Sequence, residues 1–317
     1  MGDSIIGLGA LSYLRELFPN SQIVYGVPGW IAPLYEKIEI CADSVFGFNL
    51  KNLSDHLDFW NYLTNEKFDL IYEMHQNSRT SRILRVFSKL RSTPYYYHNH
   101  HLKNGPVLDQ GVKKANIQRD LDGIYSMVRK NGLDIPVPSY LNYEPKIKNT
   151  QEKSKIVTLG IVATRQTKMW PIENFVEISN ALCSLGYKVL IPISGSQLDK
   201  TLKLKMIELG ISRKTLFIER PLSELPEQLK SSEIYIGNDT GLKHLAVALG
   251  MKTLTFFGPE EPIEWHPYDE SKHHYFFRPN LECRTRISHF CPLSTCDSMI
   301  CLNQFTPKQV IDFINQT

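Results

Sequence analysis

The sequence predicts an α/β protein made of two doubly wound domains, each built on a mostly parallel sheet. Three observations support this fold class. Strand patterns alternate with helical patterns in both halves of the chain. Residues 135–155 carry three prolines and then a lysine-rich stretch without periodicity, which is typical of a linker. Residues 232–259 form one strand–loop–helix–strand unit, written SEIYIGNDTGLKHLAVALGMKTLTFFGP.

The first half opens with a helical pattern. Ile5, Ile6, Leu8, Leu11 and Leu14 give one apolar face, and Pro19-Asn20 ends the helix before a strand at 22–27. A doubly wound domain usually opens with a strand, so we expect that the first strand of the N-terminal domain is missing and that upstream residues are absent. Further helices are predicted at 28–37, 54–64, 79–90 and 115–131, and strands at 38–41, 68–73 and 93–97.

The second half repeats the alternation. Strands are predicted at 156–162, 188–193, 215–218, 233–236 and 253–257, and helices at 172–185, 197–209, 224–230, 242–249 and 306–314. The predicted organisation is therefore an N-terminal domain at 1–135, a linker at 136–155 and a C-terminal domain at 156–317. The cleft between two such domains, at the carboxyl ends of the strands, is the natural ligand site.

Composition excludes several classes of protein. Of the 317 residues, 42% are hydrophobic and 22% are charged, which is typical of a globular protein. Lys and Arg number 36 against 33 acidic residues, and the net charge of +3 is too small to indicate nucleic-acid binding. The sequence has neither an apolar run long enough to span a membrane nor a signal-peptide pattern. We therefore expect a cytoplasmic protein whose six cysteines are reduced or metal-bound.

The loop Gly237-Asn238-Asp239-Thr240-Gly241 precedes a predicted helix, which makes it a candidate anion site. The first N–H groups of a helix have no partner inside it, and the helix dipole makes that end positive. A phosphate is therefore stabilised there. His244 follows Thr240 by one turn and faces the same side. The alternative is an ordinary capped helix with a surface histidine.

Two other stretches carry candidate catalytic residues. Thr164 and Lys168 belong to a loop that follows the first strand of the second half, and the compact ammonium of Lys168 can stabilise charge on a departing diphosphate. Solvated cations are the alternative. Asp3 precedes a helix, so it is either an N-cap or a general base that takes the proton of an acceptor hydroxyl.

Two clusters are candidate metal ligands. Cys283, Cys291, Cys296 and Cys301 are separated by seven, four and four residues. Structural zinc sites usually contain cysteine pairs separated by about two to four residues, so reduced loop cysteines are favoured over zinc. The three histidines of residues 98–101 are interpreted as a polar loop.

These motifs together resemble glycosyltransferase family 9, the heptosyltransferases. Gly2-Asp3-Ser4 with Phe18-Pro19 resembles the family's opening motif. Thr164 through Pro171 resembles its second-domain loop, and residues 237–250 resemble its nucleotide-sugar motif. Residues 257–268 and the cysteine segment before the last helix continue the resemblance, which covers essentially the whole chain.

The resemblance implies a GT-B architecture, with two Rossmann-like domains facing a cleft. It implies inverting, metal-independent transfer of a heptose or related sugar from an ADP-activated donor to a lipopolysaccharide core or other surface glycan, without a cofactor. Asp3 would be the base, and donor contacts would come from the residues Thr164, Lys168, Asn238, Asp239, Thr240, Gly241 and His244.

We further expect a monomer. A lipid-linked acceptor would place the enzyme in peripheral contact with the inner face of the cytoplasmic membrane. The main alternative is a nucleotide-sugar-binding protein without transferase activity. A zinc-stabilised interaction protein and a nucleotide-sugar epimerase are further alternatives.

Overall fold

The computed structural model describes residues 1–75, 78–98, 114–283, 293 and 295–316. The chain divides into two compact units. We call Met1–Ile5 with Lys146–Thr317 the C-terminal unit, and Ile6–Pro145 the N-terminal unit. The predicted domain and linker boundaries stay a prediction. None of the described helices is long and apolar enough to cross a bilayer.

The described part of the C-terminal unit contains one parallel sheet of six strands in the order β10-β9-β8-β5-β6-β7. The strands are β5 (Ser154–Gly160), β6 (Lys188–Ile193), β7 (Thr215–Glu219), β8 (Ser232–Asn238), β9 (Lys252–Phe257) and β10 (His273–Phe277). The helices are α5 (Ile172–Ser184), α6 (Gln197–Glu208), α7 (Leu225–Leu229), α8 (Gly241–Ala248), α9 (Pro262–Trp265), α10 (Ile300–Asn303) and α11 (Pro307–Gln316). Short 3-10 helices occur at Gln166–Lys168 and Leu222–Glu224.

The core of this unit explains why its strands are almost uniformly apolar. Leu159, Ile191 and Ile236 come from three neighbouring strands and are fully buried. Trp170 stacks on Phe256 with ring centroids 4.1 Å apart. Strands that are buried on both faces have no polar alternation, which is the pattern of a parallel sheet covered by helices. The order places β8 between β5 and β9, so the loops that follow β5 and β8 lie side by side.

The N-terminal unit consists of parallel strand pairs and helices. In its described residues β1 (Val24–Pro28) pairs with β2 (Ser44–Phe48), and β3 (Ile71–Glu73) pairs with β4 (Tyr95–Tyr97). The helices are α1 (Gly2–Leu17, whose first residues belong to the C-terminal unit), α2 (Leu53–Glu66), α3 (Ser78–Arg91) and α4 (Asn116–Lys130). Short 3-10 helices occur at Ala32–Tyr35 and Tyr140–Asn142.

Two predicted elements of this unit are wrong. Only the 3-10 helix Ala32–Tyr35 forms within the predicted helix 28–37, because proline and glycine interrupt that stretch. The strand predicted at 38–41 is absent, and β2 forms instead. Phe46 and Phe48 of β2 pack on Phe59 of α2 at centroid distances of 6.1 and 4.9 Å. This aromatic packing decides which segment pairs with β1.

Candidate functional site

The loop between β8 and α8 lies at the carboxyl end of a central strand. Thr240 is the N-cap residue of α8 and has an extended backbone, and its side chain makes no capping hydrogen bond. The N–H groups of the first turn have no acceptor within the helix, so this end of α8 remains able to bind an anion. A Cβ atom at Gly241 would lie 2.9 Å from the backbone nitrogen of Gly2, so close backbone approach requires glycine at position 241.

Asp239 is buried and pairs with two lysines. Its Oδ1 atom accepts a hydrogen bond from Nζ of Lys243 at 2.6 Å, and its Oδ2 atom lies 3.0 Å from Nζ of Lys168. Burial alone would raise the pKa of Asp239. The two ammonium groups outweigh burial and hold the pKa well below its ordinary value. The carboxylate is therefore ionised, and the three side chains together carry a charge of +1.

Lys243 was not among the predicted site residues. Its side chain is 0% exposed, donates to the carbonyl oxygen of Trp265 at 2.6 Å, and lies 4.7 Å from the ring centroid of Phe257. Burial lowers its pKa to about 8, against the opposing effect of Asp239. The sequence contained one indication of this role: Lys243 follows Asp239 by four residues and interrupts the apolar face of α8.

His244 is also buried and is held by one partner. Its Nδ1 atom is hydrogen-bonded to the hydroxyl of Tyr268. Burial lowers the pKa of His244 well below its ordinary value and Lys243 acts in the same direction, whereas Asp239 and Asp3 oppose them. The imidazole is therefore neutral at pH 7. When the tyrosine hydroxyl donates to Nδ1, the Nε2 atom carries the proton and can donate it to a ligand.

Asn238 joins the two loops of the site. Its Oδ1 atom accepts from the backbone nitrogen of Trp170 at 2.9 Å, and its Nδ2 atom donates to the carbonyl of Ile161 at 2.9 Å. Because both ends of the amide are bonded to backbone, the side chain fixes the loop that carries Lys168 against the end of β8. The predicted donor contact of Asn238 stays a prediction.

The loop after β5 supports Lys168 in several places. Lys168 ends the 3-10 helix Gln166–Lys168, and its side chain is 17% exposed. Thr167 is buried and donates to the carbonyl of Leu293 at 2.9 Å. Arg165 pairs with Glu260 at 2.6 Å. Thr164 is exposed at the start of this loop. Lys168 is thus the cation that both pairs with Asp239 and reaches solvent.

The remaining predicted residues lie elsewhere or outside the described residues. Asp3 is exposed in the first turn of α1, and its predicted role as a base stays a prediction. Cys283 and Cys296 are free thiols. Cys291 lies outside the described residues, as do residues 99–101. Within the part of the chain that the structure describes, no three His, Cys, Asp or Glu side chains are grouped so that they could hold a metal ion. His98 bonds to Tyr72 and Asp120 at 2.6 Å each.

A doubly wound domain with a helix N-terminus at a strand end and a lysine beside it is suited to hold a phosphate-containing ligand. Comparison with known proteins identifies the class as a glycosyltransferase. Residues 56–294 match the model of glycosyltransferase family 9 (heptosyltransferase), and the chain belongs to this family.

Lipopolysaccharide heptosyltransferase 3 of Escherichia coli is 22% identical over 306 residues, which are 90% of this chain and 88% of that protein. Two solved structures share the fold. The family 9 glycosyltransferase of Veillonella parvula has a TM-score of 0.74 at 17% identity, covering 100% of this chain and 94% of that one. The ADP-heptose lps heptosyltransferase II of E. coli has a TM-score of 0.72 at 16% identity, covering 99% and 95%. The predicted family and the predicted GT-B fold class are confirmed.

Proposed function

We propose that this glycosyltransferase moves a heptose or a related sugar from an ADP-activated donor to a lipopolysaccharide core or another surface-glycan acceptor, with inversion at the anomeric carbon. The observation that carries the proposal is the cluster of Lys168, Asp239 and Lys243 beside the N-terminus of α8. Its net positive charge suits the diphosphate of a nucleotide sugar. The name of one structural relative, the ADP-heptose lps heptosyltransferase II of E. coli, supports ADP-heptose as the donor.

In the proposed reaction an acceptor hydroxyl attacks the anomeric carbon, and the bond between that carbon and the diphosphate oxygen breaks. Asp3 takes the proton of the hydroxyl. Negative charge develops on the departing diphosphate. The ammonium of Lys168 has three N–H donors, so it can keep Asp239 and still donate to the diphosphate. The N–H groups of α8 supply the other stabilising charge.

His244 and the loop residues have supporting roles in this proposal. With Nδ1 held by Tyr268, the Nε2 proton of His244 is directed to one ligand oxygen. Thr164, Thr240 and Gly241 contact the donor, and Asn238 holds the loop of Lys168 in place. Lysine and helix dipoles replace a metal ion as stabilisers of the diphosphate, so the reaction is metal-independent. The proposed enzyme is a cytoplasmic monomer that works at the inner face of the membrane.

The test is calorimetric titration with ADP-heptose followed by a transfer assay. We expect wild type to bind the donor and Lys168→Met to lose most of the affinity. Lys205→Met is the matched control, because Lys205 forms an exposed pair with Glu173 at 2.5 Å on other helices. Asp3→Asn should bind the donor normally and form no product, and added chelator should change nothing.

The outcomes separate the alternatives. Binding of a different nucleotide sugar would keep the class of enzyme and refute the heptose assignment. Donor binding by wild type without product, with a range of acceptors, would favour a nucleotide-sugar-binding protein without transferase activity. Equal loss of affinity in the Lys168 and Lys205 variants would show that the cluster beside α8 is not the donor site.

A further inference from the structure

Helix α3 has an unusual charge pattern. The segment SRTSRILRVFSKLR contains five cations and no acidic residue. The cations are Arg79, Arg82, Arg85, Lys89 and Arg91. A solvated helix usually mixes both signs of charge, because oppositely charged pairs one turn apart stabilise it. On α3 the like charges repel each other, so its exposed face is a candidate binding surface.

The buried and exposed faces of α3 are well separated. Leu84 and Phe87 are buried in a cluster with Phe59 and Leu63 of α2. On the opposite side Val86 is 51% and Leu90 is 69% exposed. At about 100° per residue the exposed side chains of residues 79–90 cover one continuous face of roughly 140°, and Arg91 lies outside it. They run from Arg85, Lys89 and Arg82 on one edge to Val86, Arg79 and Leu90 on the other.

Two cations of this face have no acidic partner in the part of the chain that the structure describes. Arg82 and Lys89 form no ion pair with a carboxylate there. Arg85 instead lies over the ring of Tyr97, 5.2 Å from its centroid, and donates to its hydroxyl at 3.3 Å. Tyr97 is itself exposed. The surface thus combines Arg82 and Lys89, which pair with no carboxylate among the described residues, with two exposed aliphatic side chains and an exposed tyrosine.

Helix α6 provides a comparison within the same chain. It also exposes apolar side chains, among them Leu204 and Ile207. However, its three lysines lie between Asp199 and Glu208, and Lys205 pairs with Glu173. Exposed leucine alone therefore does not distinguish α3, whereas the combination of exposed leucine with unbalanced positive charge does.

We propose that the exposed face of α3, together with Tyr97, docks on an anionic phospholipid bilayer. A basic helix with an apolar stripe lies in the interface, where cations meet lipid phosphates and aliphatic side chains enter the acyl boundary. Tyrosine is favoured at that level because one end is apolar and the other polar. A nucleic-acid backbone would match the cations but leave Val86 and Leu90 in water. This proposal goes beyond the transfer reaction, since docking requires neither donor nor acceptor.

The test is sedimentation of the whole protein with vesicles of phosphatidylcholine alone or with about one third phosphatidylglycerol. We expect binding to the anionic vesicles that weakens with salt, and little binding to the neutral ones. Each cation removed should weaken binding by about fivefold. Arg82→Glu/Lys89→Glu should therefore abolish it, and Leu90→Ser should weaken it severalfold.

Two controls keep the result decisive. Lys200→Glu/Lys214→Glu changes the net charge by the same amount at exposed sites outside α3 and should bind like wild type. Circular dichroism and donor titration establish that each variant is folded. The proposal is overturned by absence of vesicle binding, by equal binding to neutral and anionic vesicles, or by equal loss in the control variant. Release of bound protein by a short oligonucleotide at equal phosphate concentration would also overturn it, in favour of nucleic acid.

Discussion

The ion pair between Asp239 and Lys243 makes a strong prediction about stability. The variant Asp239→Asn preserves the shape of the side chain but removes the charge that compensates Lys243. The Lys243 ammonium would then lie at 0% exposure beside a neutral amide, the carbonyl of Trp265 and the ring of Phe257, without a compensating negative charge. Since burial already lowers the pKa of Lys243 to about 8, loss of the carboxylate leaves a poorly compensated buried charge.

The magnitude can be estimated in two ways. Removing one partner of a buried ion pair costs about 3–5 kcal/mol of the free energy of unfolding. Alternatively, Lys243 can release its proton, which for an amine with an ordinary pKa of 10.5 costs about 5 kcal/mol at pH 7. The second route sets an upper limit on the penalty. We therefore expect Asp239→Asn to lower the free energy of unfolding of the C-terminal unit by about 3–5 kcal/mol.

A second substitution should restore most of the stability that Asp239→Asn loses. Lys243→Met removes the uncompensated charge and fills a similar volume with a flexible apolar chain. The double variant still lacks the hydrogen bond to Trp265, which is worth about 1–2 kcal/mol. It should therefore lie within about 2 kcal/mol of wild type. The coupling free energy of the two positions is then at least about 1 kcal/mol.

The assay is urea unfolding of wild type, both single variants and the double variant, followed by the fluorescence of Trp170 and Trp265. The reasoning is refuted if Asp239→Asn costs less than about 1 kcal/mol, or if the double variant is as unstable as Asp239→Asn alone. The same cycle makes the donor titration interpretable. Loss of affinity in Asp239→Asn alone could reflect unfolding, whereas loss in the stable double variant reports on the site.

Three further predictions concern the same site. The folded state releases the proton of Lys243 more readily than the unfolded chain, so the unfolded state binds more protons between pH 8 and 10.5. As the pH rises across that range, the free energy of unfolding of wild type should therefore increase by up to about 3 kcal/mol relative to that of Lys243→Met. Urea unfolding at several pH values measures this difference, and parallel profiles of the two proteins would contradict the buried charge. Asn238→Ala leaves two backbone groups without partners and should cost about 2–4 kcal/mol and weaken donor binding through Lys168, as thermal unfolding and calorimetry would measure. An unchanged melting temperature would show that the loops are held in another way. Tyr268→Phe frees the ring of His244, and we expect about a fivefold loss of donor affinity with less than about 1 kcal/mol lost in stability. Nitrogen NMR should then find mixed tautomers, and a single unchanged tautomer would argue against the role of Tyr268.

The sequence predicted the C-terminal unit well because its local patterns agree with its tertiary packing. The strand predicted at 188–193 has the same bounds as β6, and the helix predicted at 172–185 differs from α5 by one residue. Both are bounded by clear turn residues, and both are apolar where the sheet buries them. The edge strand β10, His273–Phe277, was not predicted. Its position is fixed by pairing with β9, which a local pattern does not contain.

The site could be predicted only in part, for a similar reason. The motif around Asp239 indicated an anion site from local rules alone, since a loop and a helix start are adjacent in sequence. The association of Lys168 with Asp239 depends on β5 and β8 being neighbours in the sheet. The complete burial of Lys243 depends on the segment that brings the Trp265 carbonyl over α8. The spacing of residues in the sequence contains neither piece of information, because both contacts depend on tertiary structure.

The charges of the cluster indicate which role Asp239 would have in the proposed reaction. A carboxylate next to a departing diphosphate would repel it if the carboxylate faced the leaving group. Here one oxygen of Asp239 is bonded to Lys243 and the other to Lys168, so its charge is directed into the protein. Lys243 is inaccessible, which leaves Lys168 as the member of the cluster that can meet the diphosphate. In the proposed reaction Asp239 would therefore act on the donor through Lys168, by holding that ammonium in place. Lys243 balances Asp239, so that the charge offered to the diphosphate remains positive.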